Sequence, residues 1–316
     1  MLLRFILKRC LYSFFVLFVI SLVVFSLVHM LPGDPVEMML GDFATPQLVK
    51  TLRTHYGLDK PLYEQYIHWM IGILRGEWGT SIRTGQPVLK LLVQALEPSL
   101  LVAVGAAFIS FCWGTTLGTF SAWLHGTVVE RLLTSVAVAA LAVPPFFFGL
   151  MLMFAFAIKL PLLPPSGYVS LTKGHLSSTL SYLVLPMVSV GLRSAAAIAR
   201  ISRTAVLDTI NKEFVRTGRA KGLAEVSILA KYVLRNSLVT IVTVSGLQLG
   251  ELLGGVVILE NIFAIPGVGS MLVSAVLLRD FPLVQGCILI LGAWFVFVNL
   301  FIDLCYGFLN PRVRSE

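Results

Sequence analysis

The sequence predicts an all-α integral membrane protein with six membrane-spanning helices. Hydrophobic residues make up 57% of the 316 residues, charged residues only 13%, and the mean hydropathy is +0.89. A soluble domain contains about 25% charged residues, so this composition argues against a soluble protein. The length accommodates six helices of roughly 20 residues each together with one extramembrane segment.

Six apolar stretches are long enough to cross a bilayer. They lie at about 10–30, 98–122, 132–158, 182–202, 237–259 and 284–307. Most of the 24 Lys and Arg residues fall in the ends and loops that alternate to one side of these spans. Lys and Arg concentrate on the cytoplasmic side of membrane proteins, so we expect both termini in the cytoplasm. The net charge of +8 is then a topology signal, not a nucleic-acid footprint.

The spans divide the chain into four predicted segments. These are an N-terminal helix (1–30), an extracytoplasmic helical segment (31–97), a transmembrane domain (98–309) and a cytoplasmic tail (310–316).

Short helices are predicted in the outer segment. Thr45-Pro46 is typical of a helix start and Gly57 of a stop. A second helix is predicted from Pro61 to Leu74, ending before Gly76. A third starts at Gln86-Pro87 and runs towards Pro98. We expect this segment to form a cap on the membrane domain or to contact a partner that delivers a solute.

A basic segment interrupts the apolar pattern between the fourth and fifth spans. Residues 200–235 contain eight Lys and Arg against three acidic residues. Within it, a helix-forming run from Glu213 is broken at Gly222, where one helix can turn against the next. Its composition suits a cytoplasmic docking surface for a soluble partner.

Motifs for enzymatic chemistry are missing from the sequence. It contains no G-x-x-x-x-G-K-[ST] phosphate loop, no H-E-x-x-H and no G-x-S-x-G. The four cysteines form no C-x-x-C pair and the five histidines are scattered. We therefore expect no catalytic residues, no metal site and no cofactor in this chain.

Polar residues inside the spans are candidates for a translocation pathway, because buried ionisable groups in a bilayer are costly. Glu251 lies near the middle of the fifth span and Arg193 near the middle of the fourth, with Gln248 close to Glu251. Arg193 and Glu251 are predicted to form a pair or to face a common cavity. A purely structural contact between helices is the alternative.

Small residues form ridges on two spans. Gly246, Gly250 and Gly254 recur every four residues on the fifth span, and Gly114 and Gly118 share the same spacing on the second. Such ridges permit close approach of helices, so we predict helix packing at both.

A series of motifs gives the chain a recognisable resemblance. They are Leu31-Pro-Gly-Asp-Pro35, Tyr56-Gly-Leu-Asp-Lys-Pro-Leu62, Arg216-Thr-Gly-Arg-Ala-Lys-Gly222, Leu234-Arg-Asn236, Glu260-Asn-Ile-Phe263, Pro266-Gly-Val-Gly269, Arg279-Asp-Phe-Pro282 and Asn310-Pro-Arg312. In this order they resemble the inner-membrane permease subunits of bacterial ABC importers for dipeptides, oligopeptides and nickel. The resemblance covers nearly the whole chain.

This resemblance implies a role for the basic segment. Residues of about 205–236 would form the EAA loop, which docks into the ATPase subunits in this family. The implied coupling residues are Arg216, Thr217, Gly218, Arg219, Ala220, Lys221 and Gly222. Gly218 stands where the family usually has Ala. The implied partners are a second homologous permease, two ATPase subunits that bind ATP and Mg, and an extracytoplasmic solute-binding protein.

The substrate stays open at this point. A peptide or peptide-like solute is the leading expectation, and nickel or a metal chelate is the alternative. The segments Gly250-Glu-Leu-Leu-Gly-Gly255 and Glu260-Asn-Ile-Phe263 are especially similar to nickel members. A secondary transporter or channel is a remote alternative, which inverted repeats would support; none is evident in the sequence.

Overall fold

The computed structural model describes residues 2–30, 45–55, 59–172 and 174–309. In chain order the helices are α1 (Leu2–Met30), α2 (Pro46–His55), α3 (Leu62–Arg75), α4 (Val88–Trp123), α5 (Val128–Ala142), α6 (Pro145–Lys159), α7 (Leu176–Ile210), α8 (Glu213–Ala220), α9 (225–262), α10 (Val268–Leu277) and α11 (Phe281–Leu309). Two of them contain π-helical turns, Met153–Lys159 in α6 and Leu229–Leu234 in α9. The predicted stop at Gly57 and the predicted tail 310–316 lie outside the described residues.

The all-α prediction is confirmed. Among the described residues, five helices (α1, α4, α7, α9 and α11) are long and apolar enough to cross a membrane. The sixth candidate is α5 with α6, which pass the same test together but are bent by 104° at a short break. The apolar stretch predicted at 132–158 therefore forms a bent pair of helices, either a broken span or a re-entrant loop.

Two consecutive prolines account for this break. A residue that precedes proline is driven away from helical angles. Val143 and Pro144 are accordingly extended, with ψ of 125° and 140°. Pro145 then opens α6, where its missing N–H costs no helical hydrogen bond.

The outer segment forms the first two predicted helices. Thr45 caps α2, where its hydroxyl accepts a hydrogen bond from the Leu48 N–H at 3.4 Å. The next helix, α3, ends at Gly76 in a left-handed conformation (φ 85°). The predicted third helix does not stop at Pro98. It is the start of α4, which continues from Val88 to Trp123 as one element. Membrane helices tolerate an internal proline where neighbouring groups satisfy the freed backbone.

Contacts divide the chain into two compact units. The first consists of Met1–Cys10, Pro98–Pro266 and Phe297–Glu316, and the second of Leu11–Glu97 and Gly267–Val296. In the first unit the largest core joins α4, α7 and α9. Its fully buried members include Val102, Leu183, Leu259, Phe263 and Ile265.

The core of the second unit is smaller. It packs Val88 and Leu92 of α4 against Val268 of α10 and Cys287 of α11. Nearby, the buried carboxylate of Asp280 accepts hydrogen bonds from the Ser81 hydroxyl and from the Ile82 N–H, the latter at 3.2 Å. These contacts hold the loop before α4.

Aromatic side chains of α3 pack on α1 within the same unit. The ring centroids of Tyr66 and Trp69 lie 5.4 and 5.7 Å from that of Phe25. The Tyr66 hydroxyl also hydrogen-bonds with the Ser21 hydroxyl at 2.8 Å. These two rings therefore cover α1.

Candidate functional site

The middle of the basic segment folds as a short helix between two turns. Helix α8 begins after Lys212 and ends at Ala220, before Lys221. Gly222 then takes a left-handed conformation (φ 72°), and its N–H donates to the Arg219 carbonyl at 2.9 Å. L-amino acids with a side chain rarely adopt this conformation, so glycine at 222 lets the chain reverse direction into α9.

The inner side of α8 is fastened to the first unit by a small hydrophobic cluster. Val215 is fully buried against Val206 of α7 and against Ile228 and Val233 of α9. Gly218 also faces inward, where a Cβ atom would lie 3.7 Å from the side chain of Ile228. That is an ordinary contact distance, so the space at this position accommodates alanine.

A buried hydroxyl joins the helices on either side of α8. The Ser237 Oγ of α9 lies 3.1 Å from the Ala205 carbonyl oxygen and 3.0 Å from the Thr209 Oγ1, both in α7. It also lies 3.0 Å from the Val233 carbonyl oxygen of its own helix. The loop is thus attached to two candidate spans, α7 and α9.

The outer side of α8 carries the basic residues. Of the seven residues predicted for coupling, six are exposed and only Gly218 is buried; the exposed ones are Arg216, Thr217, Arg219, Ala220, Lys221 and Gly222. This surface has no reacting group. It can offer charge and shape to another chain.

Two arginines of this surface are held by acidic neighbours. Arg216 Nη1 lies 3.1 Å from Glu213 Oε1, one turn earlier. Arg219 makes a two-point contact with Glu225, with Nε to Oε1 at 2.8 Å and Nη2 to Oε2 at 3.2 Å. The hydrogen bonds that Arg219 donates to the Glu225 carboxylate raise the pKa of its guanidinium above the ordinary value. A fork-shaped pair of this kind fixes the orientation of the guanidinium.

Sequence reasoning missed a buried ion pair between α5 and α7. The Glu130 carboxylate of α5 is only 5% exposed and accepts hydrogen bonds from Arg203 of α7. It also accepts from the Gly126 N–H at 2.7 Å and contacts His125 Nδ1 at 3.1 Å. Arg203 is therefore not a loop cation but part of a clamp that ties the start of α5 to α7.

A local signal for Glu130 was present in the sequence. Thr127 and Glu130 have the spacing of a capping box at a helix start. In the structure the Thr127 hydroxyl caps α5 by accepting from the Glu130 N–H at 3.3 Å. The distant partner, Arg203, had no such signal.

The predicted pathway residues are only partly described. Arg193 is exposed on α7 and makes no hydrogen bond or ion pair with another described residue, and Gln248 is half-buried on α9. The side chain of Glu251 lies outside the described residues. The predicted pair of Arg193 and Glu251 therefore stays a prediction.

The glycines predicted for packing have different surroundings. At Gly246 a Cβ atom would lie 2.4 Å from Ile302 of α11, so two helices meet there. Gly250 is half-buried, while Gly254 is exposed with nothing within 4 Å of a Cβ position. Among the described residues, no group of three or more His, Cys, Asp or Glu side chains is placed to hold a metal ion.

The whole chain matches one transport family. The profile described as "Binding-protein-dependent transport system inner membrane component" matches residues 114–315, and the profile of the N-terminal part of such membrane components matches residues 2–98. The chain belongs to this family. It is therefore a multi-pass membrane component of ABC importers, a transport subunit and not an enzyme.

Relatives of this permease match it from end to end. It is 36% identical over 310 residues to "Probable peptide ABC transporter permease protein y4tP" of Sinorhizobium fredii, covering 98% of this chain and 99% of that protein. It is 33% identical over 314 residues to "Glutathione transport system permease protein GsiC" of Escherichia coli, covering 99% and 100%.

A solved structure shares the fold of the permease. The inward-facing MetNI methionine ABC transporter superimposes with a TM-score of 0.56 at 17% identity. The match covers 70% of this chain and 97% of that one. At this identity the likeness concerns the fold alone.

Proposed function

We propose that this permease carries peptides or peptide-like solutes, including glutathione-like compounds, across the cytoplasmic membrane. The observation that supports this most is the end-to-end similarity to relatives named for peptide and glutathione transport. Over such lengths the similarity includes the spans as well as the cytoplasmic loop, so a shared class of solute is the simplest expectation.

The proposed assembly contains five chains. A second, homologous permease completes the pathway, two ATPase subunits bind ATP and Mg, and an extracytoplasmic binding protein delivers the solute. This permease itself would need no cofactor. With both termini in the cytoplasm, the loop 205–236 lies on the side where ATP is available.

The outer surface of α8 is the proposed contact with an ATPase subunit. Its six exposed residues lie on α8 and on the turn that follows it. Val215 packs α8 against α7 and α9, and Ser237 joins α7 to α9. A helix fixed in this way transmits a push to α7 and α9 without bending. Closure of the ATPases on ATP would then open the cavity between the permeases outward.

Arg193 is a proposed pathway residue with Gln248 and Glu251. It is an exposed cation on a candidate membrane span, and a cation in that position is costly unless it faces water or a partner. The variants Arg193→Gln, Glu251→Gln and their combination test the predicted pair. If the residues pair, the double variant transports better than either single variant; equal damage from all three argues against pairing.

Nickel or a metal chelate is the second candidate substrate, supported by the sequence similarity of 250–255 and 260–263 to nickel members. Uptake assays with cells that contain the transporter decide between a peptide-like solute and nickel as the substrate. A labelled dipeptide and glutathione should compete with each other, and nickel should not compete with either. Competition by nickel at micromolar concentration would favour the second candidate.

Co-purification tests the assembly. The permease is extracted in mild detergent and the bound chains are identified by mass spectrometry. We expect a second permease and ATPase subunits, and we expect Lys221→Glu, which reverses charge on the α8 surface, to reduce ATPase recovery. Lys90→Glu, an exposed reversal at the start of α4, serves as the control. Uptake that persists without any ATPase subunit would instead indicate a secondary transporter or channel.

A further inference from the structure

Basic side chains in and near the loop differ in whether they have an acidic partner. Arg216 and Arg219 are held by acidic partners. Lys231 and Arg235, both exposed on α9, make no hydrogen bond or ion pair with another described residue. Unpaired cations that lie close together attract an anion.

These two cations line one groove. It has a volume of about 560 Å³ and is lined by Ala230, Lys231, Tyr232, Leu234, Arg235 and Leu238. Its first members belong to the π-helical turn Leu229–Leu234, and such turns occur frequently at functional sites. The Asn236 amide donates to the Tyr232 carbonyl at 2.6 Å.

The groove is lined by both polar and apolar side chains, and it lies at one end of a predicted membrane span. Helix α9 begins at 225, and its apolar stretch at 237–259 starts just after Lys231 and Arg235. Leu238 lies one turn further into the span, about 4.5 Å along the axis from Arg235. Tyr232 is 40% exposed, and tyrosine is typical of the membrane–water interface.

We infer that this groove binds the headgroup of an anionic phospholipid. Lys231 and Arg235 donate hydrogen bonds to the phosphate oxygens, and an acyl chain lies along Leu234 and Leu238. A soluble phosphate would use only the two cations and would leave the leucines exposed. A zwitterionic headgroup would bring its own cation towards Lys231 and Arg235. The groove therefore favours an anionic lipid over both.

The assembled transporter, purified in a nonionic detergent, is titrated with phosphatidylglycerol and examined by native mass spectrometry. A basic residue near an anionic headgroup contributes roughly fivefold to binding. We therefore expect the double variant Lys231→Gln/Arg235→Gln to weaken phosphatidylglycerol binding at least about tenfold. The variant Arg83→Gln/Lys90→Gln removes the same two charges in the outer segment, where both are exposed, and should bind as the wild type does.

Three further measurements complete the test. The variant Lys231→Arg/Arg235→Lys keeps both charges and should retain binding, which separates charge loss from misfolding. Phosphatidylethanolamine with the same acyl chains should bind more weakly and should be insensitive to Lys231→Gln/Arg235→Gln. Glycerol phosphate at the same concentration should not displace the lipid.

Several results would overturn the lipid site. They are equal binding by the glutamine variant and the control, full displacement by glycerol phosphate, and failure of the wild-type assembly to bind phosphatidylglycerol. The last result would mean that a protein partner covers the groove.

Discussion

The contact between α4 and α7 and the outer surface of α8 use glycine for opposite purposes. At Gly118 of α4 a Cβ atom would lie 2.4 Å from the Ala199 carbonyl oxygen of α7, so the missing side chain lets two helices touch. At Gly222 nothing lies within 4 Å, and glycine is required by the backbone angle instead. One glycine serves packing and the other serves a turn.

The ion pairs of these two regions also differ, because one is buried and the other is exposed. Arg203 meets the buried carboxylate of Glu130 next to the first region, whereas Arg219 meets the exposed Glu225 in the second. Buried contacts of this kind decide stability, and exposed ones contribute little to it. We therefore expect substitutions in the first region to affect folding and those in the second to affect coupling.

The largest effect is expected from Gly118→Ala. A backbone carbonyl cannot move aside as a flexible side chain can, so overpacking should cost about 1–3 kcal/mol. Gly254→Ala is the matched control, because that glycine is helical with open space around it. Alanine there should be neutral or stabilise α9 by up to about 1 kcal/mol. Thermal unfolding in detergent measures both; equal midpoints for the two variants would contradict the close contact.

The second prediction compares two glutamates, Glu130 and Glu213, that each form an ion pair with an arginine. Glu130→Gln weakens the pairing of Arg203 and the contacts with His125 and Gly126, and it should lower the unfolding midpoint by several degrees. Glu213→Gln removes a partner of Arg216 that is fully at the surface, and it should leave the midpoint nearly unchanged. A similar loss of stability in both would show that burial does not separate the two pairs.

Proline shows how far the fold could be predicted from sequence. The apolar runs were sufficient to find every candidate span, since length and hydropathy are local properties. The sequence did not distinguish Pro98, which α4 passes through, from Pro144-Pro145, which breaks the third span. Pro98 restricts one preceding residue, whereas at Pro144-Pro145 two successive residues, Val143 and Pro144, each precede a proline and both are extended.

In the candidate site, too, local features could be predicted from the sequence and contacts between distant residues could not. Spacing and composition located α8 and its turn at Gly222, because both follow from neighbouring residues. Glu130 and Arg203 are 73 residues apart, and their contact depends on how α5 packs against α7. No pattern along the chain contains that information.

The third prediction compares alanine substitutions at the two glycines of the loop, Gly222 and Gly218. Gly222→Ala should strain the turn by about 1–2 kcal/mol, because alanine at φ 72° is unfavourable. Gly218→Ala should be tolerated, because it has room beside Ile228 and a better helix former replaces glycine. Solute uptake by the assembled transporter should therefore fall for Gly222→Ala and persist for Gly218→Ala. If uptake instead fell for Gly218→Ala and persisted for Gly222→Ala, the glycine that transport requires would be the one in α8.

The smallest effect on stability, and the most informative about coupling, is expected at Arg219. Arg219→Gln removes an exposed pair with Glu225 and should not change the unfolding midpoint measurably. It should nevertheless reduce uptake if the guanidinium contacts an ATPase subunit. Since a structural pair would give the same loss, the exchange Arg219→Glu/Glu225→Arg is the deciding variant.

The exchange keeps the attraction between positions 219 and 225 but reverses the charge that α8 presents at 219. If Arg219 contacts an ATPase subunit, uptake and ATPase stimulation stay low in the exchanged variant, although its unfolding midpoint equals that of the wild type. If the pair only holds α8 in place, the exchange restores both activities. Restoration would remove Arg219 from the docking surface and leave Arg216 and Lys221 as its exposed cations. Persistent loss would assign Arg219 to the contact, because the internal pair would still be present.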